Sequence, residues 1–346
     1  MTPQAPTSSP EISVLVVCRN EEPHIRRCLE SILAQRYPPE QMELIIVDGC
    51  STDRTKDIAE ELLRTNCRCL WRSFINPRKT LASGWNIAIR ASKGRHIIRI
   101  EAHGAIPEDF ITANLRALQA CPTAAAVGGI LRTPPQEGFR LALSKVMTSR
   151  FGVGNSGFRT GTGGGETDSL WQALYRREVF DVLGGFDESL PRHQDNEFHT
   201  RMRKAGMKLH LDPSIHSTYY GRDTLNQTLR QMFSNGRVWG EMIVRGKHQA
   251  LSPRHLVPFV FLSILFLLLG AATFSTHARL GLILVLTAHM MGGTAAALRD
   301  RGGLPLRWVV LFPPIFLSVH LSYGLGTLAG LLTPLHEFVA GREPAL

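Results

Sequence analysis

From Leu256 to Leu335 nearly every residue is apolar, whereas the chain up to about Pro253 mixes charged and apolar side chains as a protein in water does. No single solvent suits both parts. The apolar tail holds three uncharged stretches, Leu256 to Thr276, Leu280 to Leu298 and Trp308 to Leu335. Each is long enough, at about 1.5 Å per residue, to cross roughly 30 Å of hydrocarbon. They predict three membrane helices, at about 256–276, 280–298 and 308–332. The competing reading is a buried helical core, which requires one polar face per helix, and these stretches show almost none. Pro313-Pro314 and Gly292-Gly293 would break a helix in water but are tolerated in a bundle whose neighbours satisfy the freed backbone groups.

Charge near the tail gives an orientation. Arg245, Lys247 and Arg254 precede the first stretch, Arg299, Arg301 and Arg307 separate the second from the third, and the first short turn carries only Arg279. The positive-inside bias then puts the N-terminal part in the cytoplasm of a multi-pass protein of the inner (plasma) membrane and the C-terminus outside. Met1 to Pro10 is polar and lacks an apolar core, so no secretory signal is expected there. The formal net charge is +10, yet Arg222 to Arg254 holds six Lys or Arg against two acids directly before the apolar tail. That is the pattern of a segment lying on an anionic leaflet, and it argues against nucleic acid as a partner. The six cysteines, Cys18, Cys28, Cys50, Cys67, Cys69 and Cys121, form no C-x-x-C pair. In a cytoplasmic domain they read as reduced core or surface residues.

The N-terminal part alternates strand and helix patterns. Ile12 to Val17 is a β-branched and aliphatic run broken only by Ser13, the pattern of a strand buried on both faces; Met42 to Val47 reads as a second buried strand and His96 to Ile100 as a later strand. Between the first two, Ile25, Cys28, Leu29, Ile32 and Leu33 mark one helix stripe, with Asn20 as its expected cap. Ser51 or Thr52 is expected to cap a helix carrying Ile58, Leu62 and Leu63. Such repetition predicts an α/β fold with a mostly parallel, right-handed wound sheet. Ligands of open sheets bind at the carboxyl ends of the strands. Arg19-Asn20-Glu21, Asp48 and Glu101-Ala102-His103 fall there.

Neither G-x-G-x-x-G nor G-x-x-x-x-G-K-[ST] occurs, which disfavours dinucleotide folds and P-loops. Glycines cluster instead between Gly152 and Gly165, seven in fourteen residues. A stretch so rich in glycine predicts neither stable helix nor strand, and reads either as an active-site lid or as a linker.

At these residues the chain resembles the family 2 inverting glycosyltransferases of the GT-A fold, especially the succinoglycan-biosynthesis ExoA-like branch. The resemblance rests on Val16-Val17-Cys18-Arg19-Asn20-Glu21, on Ile45 through Asp53, on Asn86 through His103, on Leu183-Gly184-Gly185-Phe186-Asp187-Glu188 and on Gln194-Asp195-Asn196-Glu197, in that order. It covers about residues 12 to 240 and implies a GT-A sheet with helices on both faces followed by transmembrane helices.

The resemblance also implies roles. Arg19, Glu21, Asp48, Asn86 and Glu101 would bind the donor nucleotide, with Asp48 accepting from the base. The alternative for Asp48 is a helix or turn cap. The family's Asp-x-Asp metal motif is Glu101-Ala102-His103 here, so Glu101 and His103 would hold a divalent metal, Mn²⁺ or Mg²⁺. His216 is a further candidate ligand, or an ordinary surface or core histidine. Asp195 would be the catalytic base, in the family's Glu-Asp motif with Gln194 replacing the glutamate; its alternative is a helix N-cap. Arg237 lies near, though not in register with, a Gln-x-x-Arg-Trp motif, and reads as a phosphate contact or as a membrane-surface arginine.

The implied activity is transfer of a hexose from a nucleotide-sugar, with UDP and glucose as the favoured donor parts, to a lipid-linked saccharide at the cytoplasmic membrane face. The product would enter an exopolysaccharide or cell-envelope glycan, alongside other polysaccharide-assembly proteins. Two alternatives stay open: a polyprenyl-phosphate sugar synthase, and an inactive nucleotide-sugar-binding membrane subunit. The expected partition is a disordered 1–11, a catalytic domain over 12–221, a basic membrane-proximal segment over 222–255, helices over 256–335 and a tail over 336–346.

Overall fold

A computed structural model describes residues 10–154, 157–161, 163–222, 224–246, 253–302 and 304–333. The expected tail at 336–346, most of the expected disordered N-terminus and Lys247 lie outside them. Glu11 does not belong to a loose end, because its amide donates to the Gln41 carbonyl at 2.9 Å and its carboxylate accepts from the Tyr37 hydroxyl at 2.7 Å.

In chain order the first elements are β1 (Ile12–Cys18), α1 (Ile25–Leu33), β2 (Met42–Asp48), α2 (Thr55–Asn66), β3 (Leu70–Ile75), α3 (Leu81–Ala91) and β4 (His96–Glu101). Next come β5 (Gly104–Ala105), α4 (Phe110–Ala120), β6 (Ala124–Arg132), α5 (Gly138–Thr148), α6 (Arg150–Val153), α7 (Gly157–Thr160), β7 (Gly165–Glu166) and β8 (Leu174–Arg176). The rest are α8 (Glu178–Leu183), α9 (Gln194–Lys204), β9 (Lys208–Tyr219), α10 (Leu225–Val244), α11 (Val257–Ala271), α12 (Thr276–Asp300), α13 (Leu306–Val309) and α14 (Phe312–Leu331). The chain divides into two compact units, one of Met1–Pro134 with Gly157–Tyr220, the other of Pro135–Ser156 with Gly221–Leu346.

The first unit is a mixed nine-stranded sheet in the order β3-β2-β1-β4-β8-β6-β9-β5, with β7 on β9. Strands β3, β2, β1 and β4 are mutually parallel, and β1 and β2 are buried along their whole length, as strands covered on both faces are. Beyond β4 the antiparallel β8 makes the sheet mixed. Side chains alternate between faces: Ile12, Val14 and Val16 pack with α1, α2 and α4, and Leu15 and Val17 with α3, α8 and α9. Each fully buried aliphatic contributes roughly 1.5–3 kcal/mol, so both faces of β1 stabilise the unit. Gly129 sits where the β6–β9 register shifts, and a Cβ there would overlap the Ile215 carbonyl.

Two expected caps are replaced. Asn20 takes φ 53° and its side-chain oxygen accepts the Thr52 amide at 2.9 Å, so it ties two loops together five residues before α1 begins. At α2 the early backbone is held by Asp53, whose carboxylate accepts the Thr55 amide at 3.0 Å, and neither Ser51 nor Thr52 caps it. The glycine-rich stretch is also more regular than expected, because single turns α6 and α7 and the two-residue β7 are short enough to form in it. It carries the chain from the second unit into the first, as a linker does; Asn155, Ser156 and Thr162 lie outside the described residues.

In the second unit, α5 joins the helices of the apolar tail rather than the α/β unit. Its Ala142, Leu143 and Val146 share a core with Phe312, Ile315 and Phe316. Two helices are long and apolar enough to cross a membrane, Thr276–Asp300 and Leu306–Leu331. The most apolar window of the first is only 17% buried, unlike the mostly buried core helix of a protein in water. The first expected span is shorter than predicted, the 15-residue α11, because Ser275 caps α12 and starts it at Thr276. Pro313 and Pro314 stand in the first turn of α14, where their missing N–H groups cost nothing.

The segment expected to lie on the leaflet is largely α10, packed along α14. The two meet through Gly236 and Gly240 on one helix and Gly326 and Gly330 on the other, each so close to the facing backbone that a Cβ would overlap it. The Ser322 hydroxyl donates to the Leu229 carbonyl across this seam at 2.7 Å.

Candidate functional site

The strand order 3-2-1-4 puts the topological switch between β1 and β4, and the candidate residues follow from it. In register, Cys18 of β1 faces Asp48 of β2, and Val17 faces Glu101 of β4. The loops after β1 and β2 are laced together: the Asn20 amide donates to the Ser51 hydroxyl at 3.0 Å, Glu21 N–H to Thr55 at 2.7 Å, and Glu22 N–H to Asp53 at 3.2 Å. Arg19 lies over Gly49, where an added Cβ would stand 3.1 Å from it. Burial pushes the Asp53 carboxyl up, but its hydrogen bonds from Thr55 and Glu22 outweigh this and hold it below the usual range.

Asp48 is buried, and both its oxygens are engaged by Ser51, the hydroxyl at 2.5 Å and the amide at 3.0 Å. That is the turn-capping role. Asn86 is 7% exposed and its amide is committed to the protein: the oxygen accepts Phe186 N–H at 2.8 Å, and the NH₂ donates to the Phe186 carbonyl at 2.9 Å and to Glu188 at 2.8 Å. Through these bonds Asn86 locks the Gly185–Glu188 segment onto α3. Arg237 belongs to the second unit, where it pairs with Glu241 at 3.0 Å.

At the metal motif, His103 Nδ1 lies 3.2 Å from the Glu21 carboxylate, and Glu101 lies 3.4 Å from the Arg99 guanidinium. His216 stands on β9 opposite Ile130. Among the described residues no three His, Cys, Asp or Glu side chains gather as a ligand group, so Glu101, His103 and His216 are not assembled as a set. A carboxylate and an imidazole are donor types that suit a divalent ion, and Glu101 and His103 would hold one only with further oxygen ligands such as substrate phosphates.

Asp195 is the second residue of α9, inside the helix, while His193 with φ 60° occupies the N-cap, so the N-cap reading does not hold. Its carboxylate accepts the Asn196 amide at 2.9 Å. Burial raises its pKa, but the positive charge of Arg99, with smaller contributions from His199 and His193, brings it below the ordinary carboxylate value.

Several residues in the site carry no sequence signal. Arg99 is 3% exposed, lies over the rings of Trp85 and Phe186 at 4.8 Å each, and acts electrostatically on both Glu101 and Asp195. Its Nε and Nη1 have no partner among the described residues. His199 is fully buried, which lowers its pKa to about 4, and its Nε2 lies 2.8 Å from the Tyr175 hydroxyl, whose own pKa burial raises to about 12. Gln172 is 1% exposed, has φ 48°, and neither polar atom of its amide has a partner among the described residues. An unmet buried polar group costs about 1–3 kcal/mol and a left-handed backbone on such a residue a further ~1–3.

Residues 13–184 match the model of Glycosyl transferase family 2. The chain is 31% identical over 261 residues to the dolichyl N-acetyl-alpha-D-glucosaminyl phosphate 3-beta-D-2,3-diacetamido-2,3-dideoxy-beta-D-glucuronosyltransferase of Methanococcus voltae, covering 73% of this chain and 79% of that one. The chain belongs to glycosyl transferase family 2. It is a glycosyltransferase, and it is also 30% identical over 256 residues to the succinoglycan biosynthesis protein ExoA of Rhizobium meliloti (strain 1021), covering 73% of this chain and 76% of that one. Among solved structures, the mannosyltransferase PcManGT from Pyrobaculum calidifontis, in complex with GDP-Man and Mn²⁺, matches 92% of this chain and 88% of its own at TM-score 0.60 and 21% identity. S. aureus TarS 1-349 matches 97% and 93% at TM-score 0.51 and 14% identity. These likenesses establish the GT-A fold of this family 2 transferase.

Proposed function

We propose that this transferase moves a hexose, with inversion, from a UDP-sugar to a lipid-linked saccharide at the cytoplasmic face of the membrane, in envelope glycan synthesis. The observation that carries the reading is the buried Arg99 guanidinium, which acts on both Glu101, at the diphosphate end of the site, and Asp195, at the acceptor end. Asp195 is kept ionised by that charge and is ready to take a proton. The acceptor hydroxyl loses its proton to Asp195 while its oxygen bonds the anomeric carbon and the bond to the nucleoside diphosphate breaks on the opposite face. Arg19, Glu21 and the Asp48 turn shape the nucleotide-facing loops. A divalent ion on Glu101 and His103 would neutralise the leaving diphosphate; the Pyrobaculum neighbour is a complex with Mn²⁺.

A lipid-linked acceptor is supported by the exposed apolar surfaces of α11 and α12, including Leu267 and Leu284, and by the name of the Methanococcus relative, which acts on a dolichyl-phosphate-linked sugar. The basic residues around the apolar helices support a multi-pass protein with its catalytic unit in the cytoplasm. Asp195→Asn tests the mechanism. The variant is expected to bind UDP as the wild type does and to lose transfer by about 10²–10⁴-fold, the range for removing a general base. Full transfer by Asp195→Asn would point to an acceptor that already carries its charge, such as a polyprenyl phosphate.

A further inference from the structure

Taking the proposed transferase reading as its basis, we infer that Gln172 is a specificity-determining contact for the transferred sugar, its side-chain amide bonding a pair of hydroxyls on the glycosyl ring. The placement is the first argument. The Arg99 amide donates to the Ala173 carbonyl at 3.2 Å, so Gln172 is the next residue outward, beside the end of β4 where Glu101 stands. Its amide abuts Gly104, just past the Glu101-Ala102-His103 motif, so closely that a Cβ on Gly104 would overlap it. From Gln172 the chain enters β8, whose Tyr175 hydroxyl reaches His199 on α9, the helix that carries Asp195. Gln172 thus stands beside the end of β4 that carries Glu101, on the segment that leads through β8 to the helix of Asp195.

The second argument is chemical. Both the Nε2 donor and the Oε1 acceptor lack partners, and they sit on a side chain almost wholly removed from water. A metal ion or a phosphate would satisfy only one of the two groups. Neighbouring hydroxyls, which donate and accept, satisfy both. Because the amide is closed off in the free protein, engagement requires Gln172 to leave the pose described here. That pose already carries two unmet groups and a left-handed backbone, so a ligand that meets both groups draws the side chain out readily.

The experiment uses the full chain in detergent, screening UDP-glucose, UDP-galactose, UDP-N-acetylglucosamine and UDP-glucuronic acid and then ring-deoxy analogues of the fastest donor. Gln172→Leu, which keeps the bulk and removes both unmet groups, is expected to fold at least as well as the wild type and to bind UDP within about twofold of it. Its kcat/KM on the fastest donor is expected to fall roughly tenfold to a hundredfold, with a smaller fall on the deoxy analogue that lacks a hydroxyl read by Gln172. Unchanged kcat/KM, or a loss of UDP affinity equal to the loss of kcat/KM, would overturn the inference. So would a wild type that uses every deoxy analogue as well as the parent donor, a measurement that needs no variant to fold. A wild type inert toward all four donors with acceptor-lipid extract present would instead sink the UDP-sugar reading on which this rests.

Discussion

Replacing Gly236 by alanine separates two opposed effects by sign. In an isolated helix the change stabilises by about 1 kcal/mol, because alanine is the better helix former. In the α10–α14 seam the new Cβ would overlap the Tyr323 carbonyl oxygen and stand 2.9 Å from the Thr327 amide nitrogen. Real Cβ atoms essentially never come closer than 3.0 Å to such neighbours. All three nearest atoms are backbone, so no side chain can swing away and the helices must part. Overpacking of this kind costs about 1–3 kcal/mol, and the rigid neighbours put it at the upper end, leaving a net loss of about 2 kcal/mol. At about 2–4 °C per kcal/mol, the detergent-solubilised chain should melt about 4–8 °C lower. Gly270→Ala in α11, where a Cβ meets nothing within 4 Å, is the control and should be neutral or raise the midpoint. If Gly236→Ala also melts at or above the wild-type temperature, the close seam does not exist and α10 lies free of α14.

Other outcomes follow from the site. Glu101→Ala should abolish turnover, and EDTA should do the same to the wild type until Mn²⁺ or Mg²⁺ is restored; wild-type rates in the variant would remove Glu101 from the reaction, and wild-type rates in EDTA would remove the metal. His199 should make stability depend on pH. Its folded pKa of about 4 lies below the ordinary 6.5, so between those values the unfolded chain binds a proton that the folded chain does not. That contribution is therefore fully present above about pH 6.5 and is lost as the pH falls toward about 4. His199→Phe should flatten this limb of a pH series of denaturation midpoints, and an unchanged limb would assign it to other groups.

How far the sequence could be read depends on whether a residue's role is set by its neighbours in the chain. Runs such as Ile12 to Val17 declare a strand buried on both faces without help from elsewhere. Their carboxyl ends located Arg19, Glu21, Asp48 and Glu101 at one sheet edge for the same reason. Asn20 looked like a helix cap because nothing local reveals φ 53° or the Thr52 amide that it serves. Asn86 lay inside a recognisable motif, yet its partners Phe186 and Glu188 lie about a hundred positions on, and only the fold joins them. Arg99 reads as one basic residue in a strand, and its weight comes entirely from Glu101 and Asp195. On α10, Gly236 and Gly240 meet Gly326 and Gly330 some ninety positions on, whereas the excess of Lys and Arg between Arg222 and Arg254 pointed to a segment lying on the leaflet. Gln172 left no trace in the sequence at all.

The interleaving of the two units bears on how this protein can be made and handled. The chain leaves the first unit after β6, builds α5 and α6, and returns to finish the sheet with β7, β8 and β9. During synthesis the apolar face of α5, with Leu143 and Val146, emerges well before Phe312 and Phe316, the residues it will pack against. Until then it must be sheltered by something else, such as a chaperone or the bilayer. Stopping the chain at Tyr220 removes every hydrophobic helix of the tail but leaves α5 uncovered in the middle of the remainder. Such a shortened transferase should therefore be sticky and poorly soluble, and substituting Leu143 and Val146 with polar residues should do more to free it from detergent than moving the cut.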